Sequence, residues 1–152
     1  MRKPLIIGHS FNMRVPDPKE ALSPLLPNSA GYNLWRMSGL SVEEFRKSFA
    51  RVNTSPAGPL RPHEMKGWAQ TLVYSGLFRN RSVLIIGSEN ARFYPWRGRV
   101  PPRFTWQDWP QERSRVAWVP HTSGLVRFWN EPENRERLRQ LLAELVPSGV
   151  RS

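Results

Sequence analysis

The sequence predicts an α/β fold in which helices cover both faces of a four-stranded, mainly parallel sheet. Two apolar runs, residues 4–8 and residues 82–87, are rich in isoleucine and leucine, do not alternate with polar residues and end in glycine. Runs of this kind are typical of buried parallel strands. Helical patterns lie between them, and strands that alternate with helices favour a parallel sheet. We therefore expect a three-layer α/β/α sandwich.

Two further segments complete the predicted sheet. Residues 115–119, RVAWV, form a third strand, and residues 49–53, FARVN, form a weaker fourth. Residues 11–32 contain four prolines, residues 88–114 contain prolines and arginines, and both segments are predicted to be irregular.

Three helices are predicted from caps and periodicity. Ser41 and Glu44 form a capping-box pattern before an apolar segment. Residues 63–77 place several apolar side chains on one face, although two glycines weaken this helix. The last helix begins near Pro132, ends before Pro147, and has leucines at helical spacing, namely Leu138, Leu141, Leu142 and Leu145.

Composition limits the class of protein. A chain of 152 residues with 39% hydrophobic residues fits one globular domain, residues 1–152. The apolar run near the amino terminus is too short for a signal peptide, and no run is long enough to cross a membrane, so we expect a cytoplasmic monomer. The chain has no cysteine and three histidines, which argues against a metal site, and we expect no cofactor.

The charge of the chain favours a polyanionic partner. There are 23 Lys+Arg against 12 Asp+Glu, a net charge of +11, which indicates a nucleic acid. Residues 92–115 interleave arginines with aromatic residues. Such a segment can grip nucleic acid by ion pairing and stacking, or its aromatic side chains can cover the edge of the core. Both interpretations stay open at this point.

Polar side chains gather after all four predicted strands, in GHSFN, RVNT, GSEN and PHTSGL. Ligands of parallel α/β sheets bind outside the carboxyl ends of the strands, so we expect the functional site there. No phosphate-loop lysine follows the first strand, and no G-x-S-x-G elbow is present. The sequence therefore argues against phosphate-loop hydrolysis and against an α/β hydrolase.

The order of these strand ends resembles the uracil-DNA glycosylase superfamily. His121 to Arg127, HTSGLVR, is similar to the last motif of that superfamily, which reads H-P-S-P-L-S or N-P-S-G-L-S-R. GHSFN occupies the place of the first motif, of the type G-Q-D-P-Y-H or G-x-N-P-G, and Asn53 that of the base-reading asparagine. The resemblance implies a monofunctional glycosylase that flips a nucleotide out of the stack and hydrolyses its N-glycosidic bond.

The resemblance also implies roles for individual residues. His121 would stabilise the negative charge that develops on the base, Asn53 would bind the polar edge of the base, and Phe11 would stack on it. Each of the first two has a structural alternative, because a histidine at a strand end is often structural and an asparagine can cap a turn.

The remaining implied roles concern the DNA itself. Ser123 and Gly124, with nearby backbone N–H groups, would hold phosphates. Leu125 would fill the gap left in the duplex, and Arg127 would bind the backbone. The alternatives for Leu125 are a place in the core and a position in an ordinary first helical turn.

The first motif departs from the superfamily pattern. Ser10 stands where many members have the Asp or Asn that positions water, and Ser10 is a poor general base. Asp17 is a candidate replacement, and His9 is another, either for the water or for contact with the base. Thr122 replaces the proline of the last motif, which is expected to loosen that loop.

Specificity follows from a second departure. Uracil-specific members have a tyrosine that blocks a C5 substituent of the pyrimidine, and Asn12 stands in that position here. We expect a pocket that accepts uracil or, preferentially, a C5-substituted pyrimidine such as those of modified phage DNA, which adds antiviral defence to DNA repair as a role. Two alternatives remain: a non-catalytic nucleic-acid-binding module on the same fold, and a hydrolase or transferase of free nucleosides or nucleotides.

Overall fold

A computed structural model describes residues 2–10, 21–27, 29–123 and 126–146. The chain forms a five-stranded sheet with the spatial order β2-β1-β3-β5-β4. The strands are β1 (Leu5–Gly8), β2 (Ala50–Asn53), β3 (Ser82–Ile86), β4 (Gln107–Trp109) and β5 (Ser114–Val119). The strands β2, β1, β3 and β5 are parallel to one another, and β4 is antiparallel to β5. The α/β class and the mainly parallel sheet are confirmed.

The predicted number of four strands is wrong, because β4 adds a fifth at the edge. Asp108 lies opposite Arg115 in the antiparallel pair β4–β5. The strand has only three residues, QDW, two of which are polar, so it lacks the apolar run that marked the other strands. Only Trp109 of the three residues is buried, so this strand needs no apolar run.

Helices pack on both faces of the sheet. They are α1 (Ala30–Ser38), α2 (Val42–Ser48), α3 (Pro62–Leu72), α4 (Ser88–Arg92) and α5 (Pro132–Leu145). Ile6 of β1 belongs to one buried cluster with Leu34 of α1 and Leu138 of α5. The next residue of the strand, Ile7, belongs to a second cluster with Ala69 of α3. Successive strand residues thus face opposite helical layers, as strand geometry requires.

Local signals account for the helix ends. The Ser41 hydroxyl accepts from the Glu44 N–H at 3.1 Å, and the Glu44 carboxylate accepts from the Ser41 N–H at 3.0 Å, so the predicted capping box is confirmed. The predicted helix over residues 63–77 stops earlier, at Leu72, and a wider turn follows. Gly76 has a φ of 89° within that turn, a left-handed conformation that ends regular helix geometry. The four leucines that marked the predicted last helix lie in α5 and are all buried.

Candidate active site at the carboxyl ends of the strands

The polar strand ends predicted from the sequence converge at one edge of the sheet. Gly8 at the end of β1 is in register with Asn53 at the end of β2. On the other side, Ile86 at the end of β3 is in register with Val119 at the end of β5. Because all four strands run in the same direction, the segments that follow them emerge side by side. A cleft of about 410 Å³ lies there, and His9 and His121 both line it.

His121 is held in one orientation by the loop that follows β5. Its Nδ1 accepts a hydrogen bond from the backbone N–H of Ser123 at 3.1 Å. The indole Nε1 of Trp129 donates to the His121 carbonyl at 2.8 Å, which fixes the backbone. A neutral imidazole whose Nδ1 accepts carries its proton on Nε2. Nε2–H is therefore the hydrogen-bond donor that the ring can offer in the cleft.

Gly87 follows β3 and lies next to the imidazole of His121. A side chain at this position would begin 3.5 Å from Cδ2 of His121. Gly87 also has a φ of 102°, which favours glycine whatever the available space. Glycine is therefore favoured here by its backbone conformation and not by the space beside the His121 ring.

The environment of the two histidines keeps both rings neutral. Burial lowers the pKa of His121 below its ordinary value, and the nearby His9 lowers it further. Burial also lowers the pKa of His9, while the carboxylate of Glu89 acts in the opposite direction. When one of two imidazoles in the same cleft is protonated, its positive charge disfavours protonation of the other. Near neutral pH, His121 is a neutral donor rather than an imidazolium ion.

The titration of His121 gives a pH prediction. We expect its imidazole to titrate below 6.5, measured by NMR on the folded protein and compared with the same protein in urea. Protonation charges a partly buried ring, so its contribution to the free energy of unfolding is complete above pH 6.5 and is lost as the pH falls through the folded-state pKa. A folded-state pKa above that of the unfolded chain would contradict the neutral-donor assignment.

His9 and Ser10 follow β1 and lie side by side. Nδ1 of His9 is 3.3 Å from Oγ of Ser10, and either atom can donate according to the tautomer of the ring. The ring of His9 also tilts against Phe93, with the ring centroids 6.2 Å apart. Ser10 is half-buried beside the cleft. The first motif thus contributes an imidazole–hydroxyl pair to the site in place of an acid.

Asn53 lies at the same edge but further along the sheet. A side chain on Gly8 would collide with Oδ1 of Asn53, so the glycine leaves room for the amide. The Asn53 amide makes no hydrogen bond to any other residue in the part of the chain that the structure describes, and it is half-buried. It does not line the cleft of His9 and His121, because β1 and β3 separate β2 from β5. The site is therefore a row of groups along the sheet edge.

A buried network behind the cleft was not predicted. The Asn90 amide donates to the carbonyls of Gly8 at 2.9 Å and Ile86 at 3.2 Å. Its oxygen accepts from the Thr54 hydroxyl at 2.6 Å, and that hydroxyl lies 2.7 Å from the Tyr94 oxygen. Burial holds the pKa of Tyr94 well above its usual value, so the phenol keeps its proton. The network joins the ends of β1, β2 and β3, and so positions His9 and Asn53.

Thr122 of the last motif is hydrogen-bonded to α1. The Thr122 side chain is buried, and its hydroxyl donates to the carbonyl of Ala30 at 2.7 Å. The Asn33 amide donates to the Thr122 carbonyl at 2.9 Å. Both partners belong to α1, which ties the loop to that helix. The hydroxyl therefore makes a bond that proline cannot make, while the expected loosening of the loop stays a prediction.

Only some of the other predicted site residues lie near the cleft. Ser123 is half-buried next to His121, while Arg127 is exposed at the start of a short turn, Arg127–Asn130, and does not line the cleft. Five predicted residues lie outside the described residues, namely Phe11, Asn12, Asp17, Gly124 and Leu125. Glu89, which the sequence did not single out, lines the cleft with His9 and His121.

The aromatic side chains of residues 92–115 belong to the fold. Trp96 and Trp109 are buried and meet edge to face, with ring centroids 5.5 Å apart. The guanidinium of Arg115 lies 4.3 Å from the centre of the Trp106 ring. Phe104 packs against Phe128. These rings cover the edge of the core, so this interpretation is favoured over base stacking.

Two further findings concern the class of site. Among the described residues, no group of three or more His, Asp or Glu side chains is arranged to hold a metal ion. No described helix is long and apolar enough to cross a membrane.

Comparisons with known proteins add no assignment. No protein-family model matches the chain, and no curated protein sequence matches it. A function for this chain is therefore inferred from the geometry of the cleft, the charge of the chain and the resemblance of its strand-end motifs.

Proposed function

We propose that the chain is a monofunctional DNA glycosylase. The observation that carries the proposal is the neutral His121, whose Nδ1 is occupied by the Ser123 N–H and whose Nε2–H remains as a donor in the strand-end cleft. Three features support it: the placement of His9, Asn53 and His121 at the ends of parallel strands, the open amide of Asn53, and the net charge of +11.

The chemistry follows from a neutral donor beside a flipped base. When the bond between C1′ and the base nitrogen breaks, its electron pair moves to the base, and negative charge develops on the O2 oxygen of a pyrimidine. Nε2–H of His121 would stabilise that charge without transferring its proton. Water then adds to C1′ and loses a proton, the base nitrogen gains one, and the products are a free base and an abasic site.

The pair formed by His9 and Ser10 is our proposal for handling the water. Ser10 alone is a weak base, but its hydroxyl lies beside a His9 ring that burial keeps neutral. A neutral imidazole can accept the proton that water loses, and the Glu89 carboxylate would stabilise the resulting imidazolium. Asp17, the other candidate for this task, lies outside the described residues. No cofactor takes part in the proposed reaction.

The proposal is tested with duplexes that carry uracil, a thymine mismatch or a C5-modified cytosine. Alkali cleavage at the position of the target base reports an abasic site. Binding of these duplexes with every base retained would favour the second candidate function, a non-catalytic DNA-binding module. The observation that favours this second candidate is Ser10, which stands where an acid or amide is expected.

Substrate preference gives a separate prediction. We propose that the protein accepts a C5 substituent because asparagine at position 12 has a smaller side chain than the tyrosine of uracil-specific members. Asn12→Tyr is expected to reduce excision of a C5-substituted pyrimidine about tenfold or more relative to uracil, since the larger ring clashes with the substituent. The ratio of kcat/KM for the two duplexes measures the effect. An unchanged ratio would remove the basis for the modified-pyrimidine preference.

A hydrolase of free nucleosides fits the chain less well than a DNA enzyme. Free nucleosides carry no phosphate. Binding them would therefore not require a chain with an excess of 11 positive charges. Adding free deoxyuridine to the duplex panel addresses this alternative, since a nucleoside hydrolase would release the base from free deoxyuridine and leave the duplexes intact.

A further inference from the structure

A second concave surface adjoins the cleft on the other side of the last-motif loop. This groove has a volume of about 730 Å³ and is lined by residues of α1, α5 and the loop between β5 and α5. Ser123 lies at its loop end, and Val126 lines both the groove and the cleft of the histidines. The two cavities are thus neighbours that share Val126.

The groove has a marked excess of positive charge. Its charged lining consists of Arg36 of α1 and Arg135, Glu136 and Arg139 of α5. Arg139 is paired with Glu136 at 2.6 Å, so their charges largely offset each other. Arg36 and Arg135 form no salt bridge with any acidic residue that the structure describes. Two guanidinium groups therefore remain for an anion from outside the chain.

The fold also orients these two side chains. Nη1 of Arg135 donates to the carbonyls of Trp129 at 2.8 Å and Asn130 at 3.3 Å. A guanidinium has five N–H donors, so the remaining ones can bind a second acceptor. Arg36 lies 5.8 Å from the centre of the Tyr32 ring. The Ser123 hydroxyl has no hydrogen-bond partner among the described residues, and it adds a neutral donor at the loop end.

We propose that this groove binds the phosphodiester backbone of DNA beside the target nucleotide, with Arg36 and Arg135 as its phosphate contacts. The position of the target nucleotide rests on the proposed function. With the base in the cleft of His121, the backbone on one side passes the last-motif loop and enters the groove. Planar guanidinium groups suit phosphate oxygens because they can donate two parallel hydrogen bonds. These contacts carry no sequence information and serve to hold the strand.

Binding to a labelled duplex without a target base tests the groove apart from catalysis. The double variant Arg36→Ala/Arg135→Ala is expected to bind about tenfold more weakly at ~0.1 M salt, and the slope of log K against log salt should fall by about 2. The matched control is Lys3→Ala/Arg79→Ala. It removes two exposed charges before β1 and β3, at the opposite end of the parallel strands. The control should retain nearly all of the affinity.

A third variant changes the charge in the other direction. The hydrogen bond from Arg139 holds the pKa of Glu136 below its usual value, so this carboxylate is charged at neutral pH. Glu136→Gln removes the negative charge and releases Arg139 for the ligand. We expect DNA affinity to rise about threefold, because one more guanidinium can contact a phosphate, and the slope of log K against log salt to steepen by about 1. A purely structural groove would not give opposite effects in the two variants.

The outcomes separate the groove from the proposed activity. Loss of affinity in Arg36→Ala/Arg135→Ala alone, with a gain in Glu136→Gln, supports the groove whether or not any base is excised. Equal affinities for the wild type, the double variant and the control would overturn it, even if the wild type excises bases. If the wild type binds the duplex but yields no abasic site with any substrate, the glycosylase proposal fails and the groove result stands.

Discussion

Replacing His121 by alanine is expected to lower the rate of base excision by about 10²- to 10³-fold, the cost of removing one donor that stabilises developing negative charge. The imidazole is neutral and offers Nε2–H in the cleft, so its loss removes that donor without removing a positive charge from the DNA surface. Affinity for a target-free duplex should therefore stay nearly the same. Single-turnover rates with saturating enzyme measure the chemical step apart from binding.

Two variants define the origin of the effect. His121→Gln keeps an N–H donor at a similar distance from the backbone, so we expect it to retain more activity than His121→Ala. His63→Ala is the matched control, because His63 is an exposed histidine on α3. A rate for His121→Ala equal to that of the wild type would show that this ring does not stabilise the leaving base, and the proposed mechanism would be wrong.

Replacing Asn90 by alanine is expected to lower the free energy of unfolding by about 3 kcal/mol, the range for breaking a buried hydrogen-bond network. Asn90 is 1% exposed, and its side chain forms hydrogen bonds with Gly8, Ile86 and Thr54. Alanine would leave these groups in a dry interior with fewer partners. Urea denaturation followed by tryptophan fluorescence gives the free energy.

A second variant separates the contribution of the size of the Asn90 side chain from the contribution of its hydrogen-bond donors. Asn90→Asp keeps the size of the side chain but cannot donate to the two carbonyls when it is ionised, so we expect a large loss of stability here too. Asn130→Ala, at an exposed position, should change the free energy of unfolding by no more than about 0.5 kcal/mol. If Asn90→Ala costs no more than Asn130→Ala, the network does not hold the strand ends together.

The central sheet could be predicted because its strands differ from everything else in the chain. The runs over β1 and β3 are apolar on both faces, which only a strand buried between two helical layers requires. The edge strand β4 has no apolar run in its sequence. Its formation depends on pairing with the backbone of β5, which residue patterns do not reveal. The end of α3 was missed for a similar reason. Its apolar pattern continues past Leu72, and only the left-handed conformation of Gly76 breaks the helix.

The position of the site in the fold could be predicted, but the hydrogen bonds and contacts between its side chains could not. Parallel strands bring their carboxyl ends to one edge, so the convergence of His9, Asn53 and His121 segments follows from the fold class. The Thr54–Asn90–Tyr94 network depends on side chains from three elements meeting at one point, which residue spacing does not reveal. The groove joins Arg36 to Arg135, and only the packing of α1 on α5 makes these residues neighbours.

The most direct test of the proposed activity is the identity of the released product. A duplex with one uracil or one C5-modified cytosine is incubated with excess protein, and the small molecules and the strand are analysed by mass spectrometry. Base excision predicts an intact free base in the supernatant and a strand that has lost that base and gained a hydroxyl group. A strand that is bound by the protein yet keeps its full mass with every substrate would contradict the assignment.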